Sequence, residues 1–286
     1  MSKYKPYLMI APIMIIILCV FIGALVMGVM QSIGYFPAIG MTDISLKYYG
    51  QVFSDPSFLT SLIFSLKTAF ISSTIALLLG LLLAYLLLKS NVSDRISGLI
   101  YRLPVIVPHS IGAFMIITLF AQSGLFSRIF YNLGLISEIS HMPTLLFDKN
   151  GVGVILAYVW KATPFIAMVV YNILKSVCGK LEEVSCNLGA SQWQTFKYVI
   201  LPLTLPTLVS NFIIIFTFSF GAFEIPYLLG ATSPRALPIL AYIEYNNPNL
   251  SHRPYAMAIN MILTASSLLI VALISIVSRR FMKYRS

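Results

Sequence analysis

Charge is scarce in this chain. Only 10% of its 286 residues are charged, and acids are rarer than bases, 9 Asp and Glu against 19 Lys and Arg. A soluble globule of this length needs far more polar surface, so 58% hydrophobic residues and a mean hydropathy of +0.89 exclude that class. Cysteine is also sparse: Cys19, Cys178 and Cys186 have neither metal-ligand spacing nor the pattern of a disulfide framework, and they read as structural. The histidines His109, His141 and His252 are scattered over different segments, and neither HExxH nor GxSxG occurs, so no hydrolytic constellation is available. A GxxxxGK[ST] loop is absent too, which leaves nothing to cradle the phosphates of ATP.

What the chain has instead is long apolar runs. Six are long enough to cross a bilayer, which takes about 20 mainly apolar residues: 7–30, 62–88, 103–122, 152–177, 202–223 and 255–278. Uninterrupted apolar runs argue against the alternation of a barrel, so an all-α membrane protein is expected. The first run follows Lys3 and Lys5 but has no small-residue cleavage site after it, and it reads as a retained helix.

With both termini on the cytoplasmic side, the inner segments hold twelve Lys and Arg against three acids, Asp94, Glu182 and Glu183. The outer segments hold six of each sign. That asymmetry follows the positive-inside rule. It also accounts for a pI near 9.5 without nucleic acid, since basic inner loops face an anionic leaflet.

The outer segments are expected to be irregular. The first contains Tyr48, Tyr49, Phe53 and the turn-like Ser54-Asp55-Pro56-Ser57, and reads as one short interfacial helix. The second places Leu125, Ile129, Leu133 and Ile136 at helical spacing. The last is dense in breakers, Pro226, Gly230, Pro234, Pro238, Pro248 and Pro254, which rule out one continuous helix. Lys67, near the outer end of the second run, is placed to snorkel. The third run opens with Pro104 and Pro108, followed by His109, which reads as a packed or hydrogen-bonded histidine.

Between the fourth and fifth runs, at about 179–200, lies a polar island. A short helix over 180–188 would carry Leu181, Val184 and Leu188 on one stripe, with Glu182 and Glu183 in its first turn, where the helix dipole favours acids. Gly189 can enter the left-handed region and stop that helix before Ala190. Ser191-Gln192-Trp193-Gln194 has the form of a capping box opening a second short helix, on which Trp193, Phe196 and Ile200 recur on one face. Pro202, after Leu201, suits the first turn of the next span. An interfacial hairpin anchored by Trp193 and Lys197 is the alternative that amphipathicity alone leaves open.

The spacing from Glu183 through Gly189 to Val199, Leu201 and Pro202 resembles the EAA loop of ABC-importer permeases, with Val184 and Ser185 in place of the usual alanines. The resemblance implies a single transmembrane permease domain over 1–286, with the fold of type I importers and a bacterial inner-membrane location. It further implies that the residues from Leu181 to Pro202 receive the stroke of a separate ATP-binding subunit. ATP and Mg would be held by that subunit, and none by this chain. A second permease subunit, identical or homologous, and an extracytoplasmic binding protein are implied as partners. The region around Glu224 looks like the spermidine/putrescine group, so a polyamine is the expected solute, with iron or phosphonate as alternatives.

Polar groups at membrane depth mark a pathway or a helix contact. The candidates are Lys161, in Trp160-Lys161-Ala162-Thr163-Pro164, together with Asn211, Thr217, Ser219 and Glu224. An ATP-independent carrier or channel would share these features, but gives no reason for the loop spacing.

Overall fold

The computed structural model describes residues 5–90, 98, 104–138 and 141–283, without the side chains of 5–6, 176–180, 182–183, 186 and 279–283. The described residues are nearly all helical, and among them the only β pairing is an isolated bridge between Phe36 and Met41. Among the described residues, six helical stretches are long and apolar enough to cross a membrane.

Two compact units emerge. The first comprises Met1–Leu59 and Leu237–Ser266. It holds α1 (Lys5–Ser32), α2 (Lys47–Ser54), α10 (Leu237–Tyr245) and the first part of α11 (Arg253–Lys283). Side chains of α1 are almost all exposed from Tyr7 to Met30, as expected of a helix whose neighbour is lipid. Asp55, between α2 and α3, accepts hydrogen bonds from the Ser57 amide at 2.8 Å, the Ser57 hydroxyl at 2.7 Å and the Tyr255 hydroxyl at 2.6 Å. Burial works to raise the pKa of this carboxyl, but the bonds from Tyr255 and Ser57 outweigh it and hold the group below its ordinary 3.8.

The second unit, Thr60–Ala236 and Ser267–Ser286, contains most of α3 (Pro56–Lys89). Along the chain follow α4 (His109–Phe120), α5 (Leu125–Asn132), α6 (Val152–Asn187), α7 (Gln192–Thr195), α8 (Leu201–Gly221) and α9 (Glu224–Leu229). One buried cluster joins Ala76 and Ala84 of α3 to Ile166 and Val170 of α6 and Leu208 and Ile215 of α8. Another joins Ala113 and Ile116 of α4 to Val154 and Tyr158 of α6 and Ile225 and Leu229 of α9. Small residues let these helices approach, as is common in membranes. A Cβ at Gly80 of α3 would come within 2.7 Å of Ile166 on α6.

Several expected boundaries shift. The third span begins at His109 instead of near 103, because Pro108 is extended (ψ 149°) and caps α4 from outside. The Leu125–Ile129–Leu133 stripe is present but faces outward, while Ser127 between them is fully buried. Lys67 donates to Asn150 Oδ1 at 3.0 Å, which gives its ammonium a partner in the segment ahead of α6. The breaker-rich segment is broken into α9, α10 and a single 3₁₀ turn at Leu250–His252.

Candidate functional site

The polar island folds as an elbow between α6 and α8, and its construction differs from two free-standing helices. No separate helix starts near position 180: α6 runs unbroken for 36 residues from Val152 to Asn187. The helix passes through Pro164 and then Gly179, the residue next to the expected start, and a glycine costs about 1 kcal/mol relative to alanine, too little to stop a packed helix. Positions 182 and 183 therefore lie near the C-terminal end of a long helix, and the first-turn dipole argument does not hold for them. The side chains of Glu182 and Glu183 lie outside the described residues.

The end of α6 is built as expected. Gly189 takes φ +81°, and the Ala190 amide reaches back to the Ser185 carbonyl at 3.0 Å, a Schellman closure. Ser191 then accepts from the Gln194 amide at 3.3 Å, while Gln194 Oε1 accepts from the Ser191 amide at 2.7 Å, completing the capping box.

The second helix also merges with its span. Residues Phe196–Ile200 form a π-turn, in which the Leu201 amide bonds the Phe196 carbonyl five residues back. Pro202 has no amide and its ring crowds the carbonyl four residues earlier, so the wider turn admits it without breaking the helix.

Three contacts fix the elbow to its surroundings. The Ser185 and Thr195 hydroxyls bond at 2.8 Å in a buried pair, Lys89 Nζ of α3 donates to Gln192 Oε1 at 2.8 Å, and the Tyr85 and Phe196 rings meet edge-on at 5.1 Å. What remains outward is apolar: Leu181, Val184 and Leu188, at i, i+3 and i+7, are 40, 53 and 83% exposed. Beside this ridge Leu188, Gly189, Ala190, Gln194, Thr195, Tyr198 and Val199 line a notch of about 350 Å³. Trp193 is exposed and stacks on Phe196 at 5.8 Å, whereas Leu201 and Pro202 are half-buried at the base of α8. A ridge with a notch, held stiffly on two membrane helices, can receive a partner and pass its movement into both.

A second constellation lies within the spans. Tyr158, Lys161, Ala162 and Phe165 of α6 share one helical face and line a cavity of about 180 Å³ with His109, Ile215, Phe218 and Ser219. Lys161 Nζ donates to the Val107 carbonyl, at the break where Pro108 interrupts the backbone ahead of α4. His109 packs against the Phe218 ring at 5.2 Å. Glu224 is exposed at the start of α9, within electrostatic reach of both Lys161 and His109.

Of the polar residues singled out from the sequence, Lys161 and Ser219 thus share a cavity, with Glu224 close enough to act on it. Asn211 is buried but donates to the Thr207 carbonyl of its own helix at 2.9 Å. Thr217 does not line the cavity, and its hydroxyl is buried with no hydrogen-bond partner among the described residues. Tyr158 and the Val107 carbonyl were not anticipated. Tyr158 could have been found from its i, i+3 relation to Lys161.

Comparison with known proteins decides the family. Residues 76–284, more than half of the chain and including the whole elbow, match the family described as binding-protein-dependent transport system inner membrane component. The chain belongs to that family. Among curated permeases it is 24% identical over 242 residues to the sulfate transport system permease protein CysT of Escherichia coli K12, covering 84% of each chain. It is 28% identical over 250 residues to the trehalose/maltose permease MalF of Thermococcus litoralis, covering 84% of this chain and 83% of that one. Against the probable sulfate permease cysT of a Helicosporidium species it is 30% identical over 173 residues, 59% of this chain and 60% of the relative. The chain thus spans about three fifths of the first curated relatives it matches. Its fold matches a bacterial ABC transporter that imports the acidic polysaccharide alginate, with a TM-score of 0.80, 20% identity and coverage of 97 and 96%. The methionine ABC transporter MetNI follows at 0.56, 21% identity and coverage of 80 and 95%. The fold is that of a type I ABC importer permease, a multi-pass inner membrane protein.

Proposed function

We propose that this chain is the permease subunit of a binding-protein-dependent ATP-binding cassette importer, and that its elbow couples the pathway to a separate ATPase subunit. The observation that carries this reading is the exposed Leu181–Val184–Leu188 ridge at the end of α6, closed by Gly189 in an elbow that is hydrogen-bonded to α3 and α6 and runs directly into α8. An anchoring hairpin needs an apolar face on lipid but no rigid ties to three helices. Both termini and the elbow lie on the cytoplasmic side, in keeping with the distribution of basic residues. A second permease subunit completes the path, and an extracytoplasmic binding protein delivers the solute. Two states that differ in affinity for nucleotide and for the loaded binding protein supply the alternating access.

Lys161, His109, Tyr158 and Ser219 form this subunit's share of the path, and an ammonium in that cavity opposes a polycation. The relatives are named for sulfate and for trehalose and maltose, and the expected polyamine finds no support among them. We therefore infer an oxyanion or a hydroxylated solute. Vesicles holding the assembled complex test the reading: uptake should require ATP on the elbow side and binding protein on the other. Uptake without ATP would mean a secondary carrier or channel.

A further inference from the structure

The elbow forms one wall of a second recess, unrelated to the ridge. Leu78, Leu81, Leu82 and Tyr85 of α3 face Gln192, Trp193 and Phe196 across a groove of about 470 Å³. Apart from Gln192 its lining is aliphatic and aromatic. It opens outward, since Leu78, Leu82 and Trp193 are 62, 52 and 68% exposed.

Its polarity is graded along α3. At 1.5 Å per residue, Leu78 lies about 16 Å from Lys89 along the helix, roughly half of a ≈30 Å hydrocarbon core. The groove's α3 wall, Leu78 to Tyr85, covers about 10 Å of that distance and is apolar, and Lys89 lies one turn beyond its mouth. There Lys89 Nζ sits over the Tyr85 ring at 5.3 Å and bonds Gln192. A water-soluble solute gains little from an apolar trough, whereas the upper part of an acyl chain ending in an acidic headgroup matches its lining and the cation at its mouth.

We propose that this groove binds one acyl chain of an anionic glycerophospholipid, with its phosphate on Lys89. The lipid bridges α3 and α7, the elbow's own helix. Its headgroup competes with Gln192 for Lys89, so anionic lipid adjusts how firmly the elbow is tied to α3. The site itself stands on its geometry; only its assignment to the cytoplasmic leaflet rests on the function proposed above.

The test uses the full chain, with whatever subunits accompany it, reconstituted in vesicles of phosphatidylcholine and phosphatidylglycerol and then extracted in mild detergent. Native mass spectrometry counts the lipids retained. Wild type should keep phosphatidylglycerol in preference to phosphatidylcholine. Lys89→Gln should lower that preference about fivefold, one lysine's attraction to an anionic lipid surface, and Lys89→Arg should restore it. Leu82→Trp, a substitution on the exposed wall, should displace both lipids while leaving the melting temperature unchanged. Equal retention of the two lipids by wild type, or undiminished phosphatidylglycerol in both the Gln and Trp variants, would overturn the proposal. So would a cross-link from Leu82→Cys to a second polypeptide. These readouts involve no transport, so loss of the lipid site and loss of the importer reading are separable.

Discussion

Gly189 sets the turn by which the chain leaves the ridge at the end of α6 and enters α7, and its substitution can be worked through quantitatively. Its φ is +81°, and a Cβ built there meets nothing within 4 Å, so any side chain acts through the backbone alone. An L-residue in the left-handed region costs about 1–2 kcal/mol, or roughly a 5- to 30-fold loss in the population of this turn. Gly189→Ala should therefore reduce coupled uptake by up to that factor. Gly189→Asn should lose less, because its short polar side chain tolerates the region. Gly189→Pro cannot reach +81° from a ring-fixed φ near −65°, and the turn with its Ala190 to Ser185 bond is lost. The assay is ATP-dependent solute uptake by vesicles, normalised to complex that inserts and runs as a single species on size exclusion. The expected order is Gly, Asn, Ala, Pro, with Pro uncoupled. Wild-type uptake by a correctly assembled Gly189→Pro complex would refute the reasoning, as would an Ala variant worse than Pro.

Other perturbations probe separate parts of the account. Thr195→Val removes the buried bond to Ser185 and should cost about 1 kcal/mol, read as a lower melting temperature; no change in melting would mean the pair adds nothing. Gly80→Ala drives a methyl against Ile166 and should destabilise by about 1–3 kcal/mol, whereas Gly50→Ala, with open space around it, should be neutral in the same melt. Lys161→Met should lower uptake of an anionic solute far more than Lys161→Arg; equal uptake by both would place Lys161 in a purely structural role. Asp55 has a depressed pKa in the folded chain, so its contribution to stability is fully present above its ordinary 3.8 and fades as pH falls through the lower folded value. Tyr255→Phe should weaken that acid-dependent loss, and an acid-unfolding profile identical to wild type would contradict the assignment.

Much of this organisation is legible in the sequence because lipid leaves few choices. Runs without charge must be helices, and Gly189 with Ser191 and Gln194 carries an explicit stop and start. The missed features share a physical cause: they depend on neighbours distant in sequence. Gly179 and Pro202 both suggest boundaries on propensity alone, yet packing of α6 and α8 against α3 carries one helix through the glycine, and a π-turn accommodates the proline. Lys161 stands out as a charge at membrane depth, but its partner is a main-chain carbonyl, which no side-chain pattern reports. His109, Tyr158 and Phe218 come from three segments, and only the packing of α4, α6 and α8 brings them to one cavity. Asn211 was as conspicuous in the sequence as Ser219, yet its amide is spent on its own helix.

The central claim is that the elbow docks an ATP-binding subunit. The most direct measurement is mild-detergent purification of the tagged chain from its native membrane, with mass spectrometry of the proteins recovered, for wild type and for Leu181→Glu, Val184→Glu and Leu188→Glu. A subunit bearing a phosphate-cradling GxxxxGK[ST] loop should accompany wild type and be lost from the ridge variants, while a second permease subunit stays. Recovery of the ATPase undiminished with all three ridge variants would contradict it, and so would a chain that purifies alone and transports in ATP-free vesicles.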